Sequence, residues 1–152
     1  MSFQHIAFCT DFSKNADLAF ETAVEVAEKF RAKLHILHVV PPVVNPLFTD
    51  FDGVTYSQPD PSLFVKIEEK MEGQYGTRIA EPLEYGLTVL EGHVSTEILR
   101  FIDENRIDLV VMGAFGLAGM GLVVFGSVAK RVSHKASCSV MIVRNPARNT
   151  DS

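Results

Sequence analysis

The sequence predicts an α/β protein: a single-domain, doubly wound, five-stranded parallel sheet of strand order 3-2-1-4-5 with helices on both faces. Three observations predict the parallel sheet and its helices, and the strand order is a usual one for such folds. Strand-like and helix-like segments alternate along the 152 residues as βαβαβαβαβ. The strand-like runs, among them KLHILHVV and LVVM, are largely apolar instead of alternating, as parallel strands buried on both faces must be. The helical segments between them carry one apolar stripe each.

Taken in order, Phe3 to Cys9 (FQHIAFC) is the first strand, and Ser13 is placed to cap the helix that follows. From Lys14 to about Arg31, the positions Ala16, Ala19, Phe20, Ala23, Val26, Ala27 and Phe30 recur at helical spacing. Lys33 to Val40 is the second strand, stopped by Pro41-Pro42, which cannot join a sheet ladder. The stretch to about Pro61 mixes Pro46, Gly53, Phe48, Phe51 and Tyr56 without a period, and a flap over the sheet edge or a partner contact is expected there. Ser62 to about Ala80 is helical, weakened in its second half by Gly73 and Gly76. Tyr85 to Leu90 is the third strand, and Ser95 is the expected cap of a helix from Thr96 to Glu104. Leu109 to Met112 is the fourth strand, a helix opens at Gly126-Ser127, and Val140 to Val143 is the fifth strand. Residues 1–146 then form the domain and 147–152 a tail.

A net charge of −5 argues against broad attraction to nucleic acid or to an anionic membrane. No apolar run approaches a membrane span, and MSFQHIAFCTDFS lacks the layout of a signal peptide, so a cytoplasmic protein is expected. Cys9 and Cys138 are too few for a disulfide framework and read as small hydrophobes. His35 and His38, three apart on a strand, face opposite ways and cannot share a metal.

The residues that point to chemistry follow the fourth strand. Five of the ten glycines (Gly113, Gly116, Gly119, Gly121 and Gly126) fall in this one connection. Glycine lets a ligand approach main-chain N–H groups, and the next helix offers unpaired donors and a partial positive charge, a combination that suits phosphate. The bland alternative is a flexible βα connection. The Thr10-Asp11 turn after the first strand lies at the same end of the sheet, where ligands of doubly wound folds sit.

Gly113, Gly116, Gly126 and Ser127 give the spacing G-x2-G-x9-G-S/T, which resembles the nucleotide-binding loop of the universal stress protein family in its ATP-binding branch. The likeness runs from Ile6 to Arg144 and includes CTDFSKNADLAF, HVV from His38, DLVVMG and SCSVMIVR. It departs at Cys9, Val94 and Ser139, where the family commonly has proline, and at Ala129, where a second hydroxyl is usual. No lysine or arginine lies between Gly113 and Ala129.

The resemblance implies a Rossmann-like fold and an adenine-nucleotide site. The N–H groups of Gly116, Gly126, Ser127 and Val128 would surround the phosphates, with Gly113 near the ribose. The backbone of Val39 would meet the adenine edge. Thr10 and Asp11 would lie on the ribose or phosphate side, Asp11 acting through Mg²⁺ if a metal takes part. For Asp11 the alternative is a turn residue bonding its own backbone, and for Ser127 a helix N-cap. ATP is the expected ligand, with AMP or ADP open. The resemblance further implies a homodimer, with Ser137 to Val143 pairing antiparallel with its copy; a strand covered by the tail is the alternative. The expected role is a regulatory stress-response module with an unidentified protein partner, not an enzyme. A docking module without nucleotide and a slow ATPase are the competing readings, and a phosphate-accepting receiver would want acidic neighbours that Asp11 lacks.

Overall fold

The computed structural model describes residues 2–44, 56–57, 60–114 and 126–145, with main chain only at 43–44 and 56–57. The first strand, β1 (His5–Cys9), leads through a tight turn into helix α1 (Lys14–Phe30). Ser13 caps α1 as expected, its hydroxyl accepting the Ala16 N–H, and Arg31 ends it in the left-handed conformation (φ 54°). The buried stripe of α1 is Ala16, Ala19, Phe20, Ala23 and Ala27. Four alanines bring this helix close to the sheet.

β2 (Lys33–Val40) follows, with the bounds read from the sequence. In the stretch expected to be an aperiodic flap, β3 (Val43–Val44) and β4 (Tyr56–Ser57) pair antiparallel; most of the remainder lies outside the described residues. Helix α2 (Pro61–Gln74) opens on Asp60, which accepts the Ser62 N–H, with Pro61 in the first turn where a missing N–H costs nothing. It ends earlier than the expected Ala80. A single 3-10 turn (Gly76–Arg78) continues the chain, so the weakness at Gly73 and Gly76 becomes a stop.

β5 (Tyr85–Glu91) leads to α3 (Val94–Glu104), which starts two residues earlier than anticipated, with His93 as cap and no side-chain capping bond. Ser95 sits inside the helix and is buried. β6 (Leu109–Gly113), α4 (Ser127–Lys135) and β7 (Ser139–Val143) complete the chain.

The main sheet has order β5-β2-β1-β6-β7, and every neighbouring pair is parallel. In chain order these five strands run 3-2-1-4-5, the predicted doubly wound arrangement. One face packs Ile6, Phe8, Leu34 and Ile36 against α1 and against Met71 and Tyr75. The other packs Ala7, Leu37 and Val110 against Ile98 and Ile102 of α3 and Val132 of α4. His35 and His38 do fall on opposite faces. His35 Nε2 lies 3.1 Å from His5 Nδ1, and its ring meets Phe101 edge-on, whereas His38 rests on Phe12. No helix among the described residues is long and apolar enough to cross a membrane.

Candidate functional site

Because the strands are parallel, β1, β2 and β6 all end at the same edge of the sheet. The strand order reverses between β1 and β6, the place where doubly wound sheets leave room for a ligand. Four pieces of chain meet there: the turn after β1, the end of β2, the end of β6 and the start of α4.

The turn after β1 is stitched by its own side chains. The Thr10 hydroxyl accepts the Phe12 N–H (2.9 Å), Asp11 Oδ1 accepts the Ser13 N–H (3.0 Å), and the Ser13 hydroxyl accepts the Ala16 N–H (3.2 Å). Phe12 adopts φ 66°, a left-handed conformation that costs a bulky residue roughly 1–2 kcal/mol. The Asx turn at Asp11, one of the two roles anticipated for it, is therefore realised. One carboxylate oxygen is spent on the turn.

At the end of β2, the Thr10 N–H donates to the Leu37 carbonyl (2.9 Å), the last rung between β1 and β2. Main-chain groups two residues apart on a strand point the same way. Val39 thus directs its N–H and C=O toward the β1 side, past the point where β1 has turned off. Its side chain is buried, in one cluster with Met112 of β6 and Ala129 of α4, against which Val128 packs.

Gly113 closes β6. A Cβ there would stand 3.0 Å from the Asn15 carbonyl oxygen, tighter than an ordinary contact, so the approach of α1 by itself favours glycine. Gly116 lies outside the described residues. Gly126 is the N-cap of α4 (φ −55°), and its N–H donates to the Ala114 carbonyl at 2.8 Å. The Gly126 N–H, one of the groups that the resemblance puts around the phosphates, is thus bonded to the main chain in this structure. Ser127 is the first helical residue, not the cap, and it is exposed. The first intrahelical bond runs from Lys130 N–H to Gly126 C=O (3.0 Å), so the N–H groups of Ser127 and Val128 precede the helical ladder. The Ala129 N–H precedes it too, so the first three N–H groups of α4 have no partner within the helix.

The family model of the universal stress protein family matches residues 2–144. The chain belongs to the universal stress protein family. Universal stress protein MJ0531 of Methanocaldococcus jannaschii is 31% identical over 154 residues, covering 96% of this chain and 85% of the relative. A universal stress protein from Archaeoglobus fulgidus, solved in complex with dAMP, shares the fold with a TM-score of 0.67 at 20% identity, over 93% of this chain and 98% of that one. Another, solved in complex with cAMP, has a TM-score of 0.67 at 21% identity, over 95% of this chain and 98% of that one.

In this universal stress protein, two side chains that sequence reasoning passed over reach the same edge. His38 Nδ1 lies 2.8 Å from the Thr10 carbonyl oxygen, with its ring 4.7 Å from that of Phe12. Tyr75, at the end of α2, places its hydroxyl 2.6 Å from that of Thr10, and Lys70 sits over the Phe12 ring at 4.2 Å. Burial pushes the Tyr75 phenol up to about 12, so it stays a neutral hydrogen-bonding group. An even-numbered position at the end of β2 placed His38 on the α1 face, but only the turn at Phe12 brings a ring beneath it. Nothing in the spacing of α2 tied Tyr75 to Thr10.

No group of three metal-ligating side chains occurs among the described residues. Asp11 fits Mg²⁺ only in the manner that ion favours, as one protein oxygen beside phosphates and water.

Proposed function

We propose that this universal stress protein binds an adenine nucleotide at the β1–β6 edge and works as a regulatory stress-response module. The observation that carries the reading is the meeting of two kinds of main-chain donor at one edge. Val39 presents an N–H beside a C=O, suited to a flat base, and Ser127 and Val128 present first-turn N–H groups, suited to phosphate. The dAMP and cAMP complexes of two relatives support an adenine nucleotide as the ligand class. ATP, ADP and AMP all fit it, with any Mg²⁺ carried by the phosphates and touched by Asp11. Catalysis is not part of the proposal, since hydrolysis needs a positioned water and groups that stabilise developing charge.

The proposal includes a homodimer. β7 is an edge of the sheet, with β6 on one side, so its outer rim is suited to antiparallel pairing with a second copy along Ser137 to Val143.

The test is calorimetric titration of nucleotide-stripped protein with ATP and AMP, with and without Mg²⁺, alongside Gly126→Asp. Gly126 has an ordinary φ of −55°, and aspartate is a favoured N-cap, so the variant folds while its carboxylate repels phosphate. Saturable binding that the variant weakens by about tenfold or more supports the site. No heat with either nucleotide at millimolar concentration removes it and leaves a protein-docking module on the same fold.

A further inference from the structure

We infer that His38 and Thr10 act as positioning residues that keep the main chain of Val39 open to a base. The inference rests on the adenine-nucleotide reading above and says how this chain makes the base-reading edge.

The β1–β2 register pairs Cys9 with Leu37. Continued past its last rung, a parallel ladder would run next from Val39 N–H to Thr10 C=O, and then from Phe12 N–H to Val39 C=O. Neither rung is present. The Thr10 carbonyl lies 2.8 Å from His38 Nδ1. A carbonyl only accepts, so Nδ1 carries the proton and donates it. The Phe12 N–H donates to the Thr10 hydroxyl at 2.9 Å. Each ladder partner of Val39 is thus taken by a side chain, an imidazole in one case and a hydroxyl in the other. Among the described residues, no main-chain bond reaches Val39 from the β1 side.

What is left is a donor and an acceptor on one residue, pointing the same way from a strand end whose side chain is buried. Adenine offers the complement, a ring nitrogen that accepts beside an amino group that donates. Inosine carries a carbonyl in place of that amino group, and its oxygen would face the Val39 C=O with no proton between them. His38 and Thr10 therefore set base preference without touching the base. The Tyr75 hydroxyl, 2.6 Å from that of Thr10, holds the second diversion in place.

Three variants separate this from a merely structural role. His38→Phe keeps a ring on Phe12 but has no N–H, so the Thr10 carbonyl returns to Val39 and the rung closes. His38→Asn keeps an amide N–H near the position of Nδ1. Thr10→Val releases the Phe12 N–H to the Val39 carbonyl. In amide hydrogen exchange without ligand, Val39 exchanges readily in the parent and in His38→Asn, and becomes about tenfold or more protected in His38→Phe. In titrations with AMP and inosine monophosphate, the parent and His38→Asn prefer AMP by about tenfold. His38→Phe and Thr10→Val bind AMP about tenfold more weakly and lose the preference.

A protected Val39 amide in the parent overturns the inference, as does an undiminished AMP preference in both His38→Phe and Thr10→Val; the nucleotide reading survives either result. A parent that binds neither nucleotide overturns both.

Discussion

The hydroxyl of Tyr75 lies 2.6 Å from the hydroxyl of Thr10, joining the end of α2 to the turn that follows β1. Gln74 extends the link, its amide donating to Asp17 Oδ1 (2.8 Å) and to the Tyr75 oxygen (3.3 Å). Tyr75→Phe removes one oxygen from a buried chain and keeps the ring between Phe8 and Phe20. It is expected to cost about 1–2 kcal/mol, because Thr10 and Gln74 each lose a partner. Urea denaturation of the two proteins measures the difference; equal midpoints would mean that water replaces the phenol without penalty.

The same phenol gives an optical check. Burial raises Tyr75 to about 12, and hydroxyl contact with Thr10 opposes the shift only in part. Tyr75 should stay out of the phenolate absorbance up to about pH 11 as long as the fold holds. Difference spectra of the parent and Tyr75→Phe between pH 9 and 11 should therefore superimpose.

Gly113→Ala sets a Cβ 3.0 Å from the Asn15 carbonyl oxygen and 3.1 Å from its carbon. Both are backbone atoms at the start of α1 and cannot swing aside, so α1 must shift. A loss of about 1–3 kcal/mol is expected, the usual range for overpacking. Thermal unfolding reads it. If the midpoint is unchanged, the approach of α1 to β6 is looser than the distances state.

His35 supplies a dependence on pH. Burial, helped by His5 and Lys33, lowers its pKa from 6.5 to about 4. Between those values the unfolded chain binds a proton that the folded chain refuses, so stability rises with pH across that window and falls as acid is added. The loss from pH 6.5 down to pH 4 is on the order of 2 kcal/mol from this residue. In His35→Phe, stability measured by denaturant at pH 7, 5.5 and 4 should fall less steeply. A slope equal to that of the parent would assign the acid sensitivity elsewhere.

Cys9 tests the core on the other face. Burial raises its thiol to about 12, and thiolate is the reactive form. Alkylation of the native protein at pH 8 should spare Cys9 and proceed quickly in denaturant. Mass spectrometry of digests taken at intervals follows this, and prompt native labelling at Cys9 would contradict the packing.

The fold was legible in the sequence because burial on both faces leaves short, continuous apolar runs bounded by turn residues. KLHILHVV and LVVM are apolar across successive residues, and proline pairs or glycines punctuate their ends. Boundaries failed where local chemistry competed with periodicity. The stripe of α2 runs on past Gln74, yet Gly73 and Gly76 tighten the chain into a 3-10 turn. Ser95 looked like a cap, but the helix starts two residues earlier, at Val94, and buries that serine. Within the candidate site, a spacing of glycines located the end of β6 and the start of α4. It could not tell which N–H groups were already engaged, and Gly126 was. His38 and Tyr75 were invisible because their partners lie 28 and 65 residues away in the chain, and no one-dimensional pattern records such contacts.

The bond from Gly126 N–H to Ala114 C=O fastens the two ends of the excursion between β6 and α4 to each other. Ala114 is itself anchored by its N–H to the Val143 carbonyl at 3.0 Å. The neck of that excursion is thus part of the sheet's own framework. The number of residues between the two anchors is then only weakly constrained by closure itself, since doubling the length of a closed loop adds only about 0.6 kcal/mol. Foreign segments grafted at this junction should leave the domain folded. The neck is thus a natural junction for insertion, where added length is tied off by bonds that the sheet already makes.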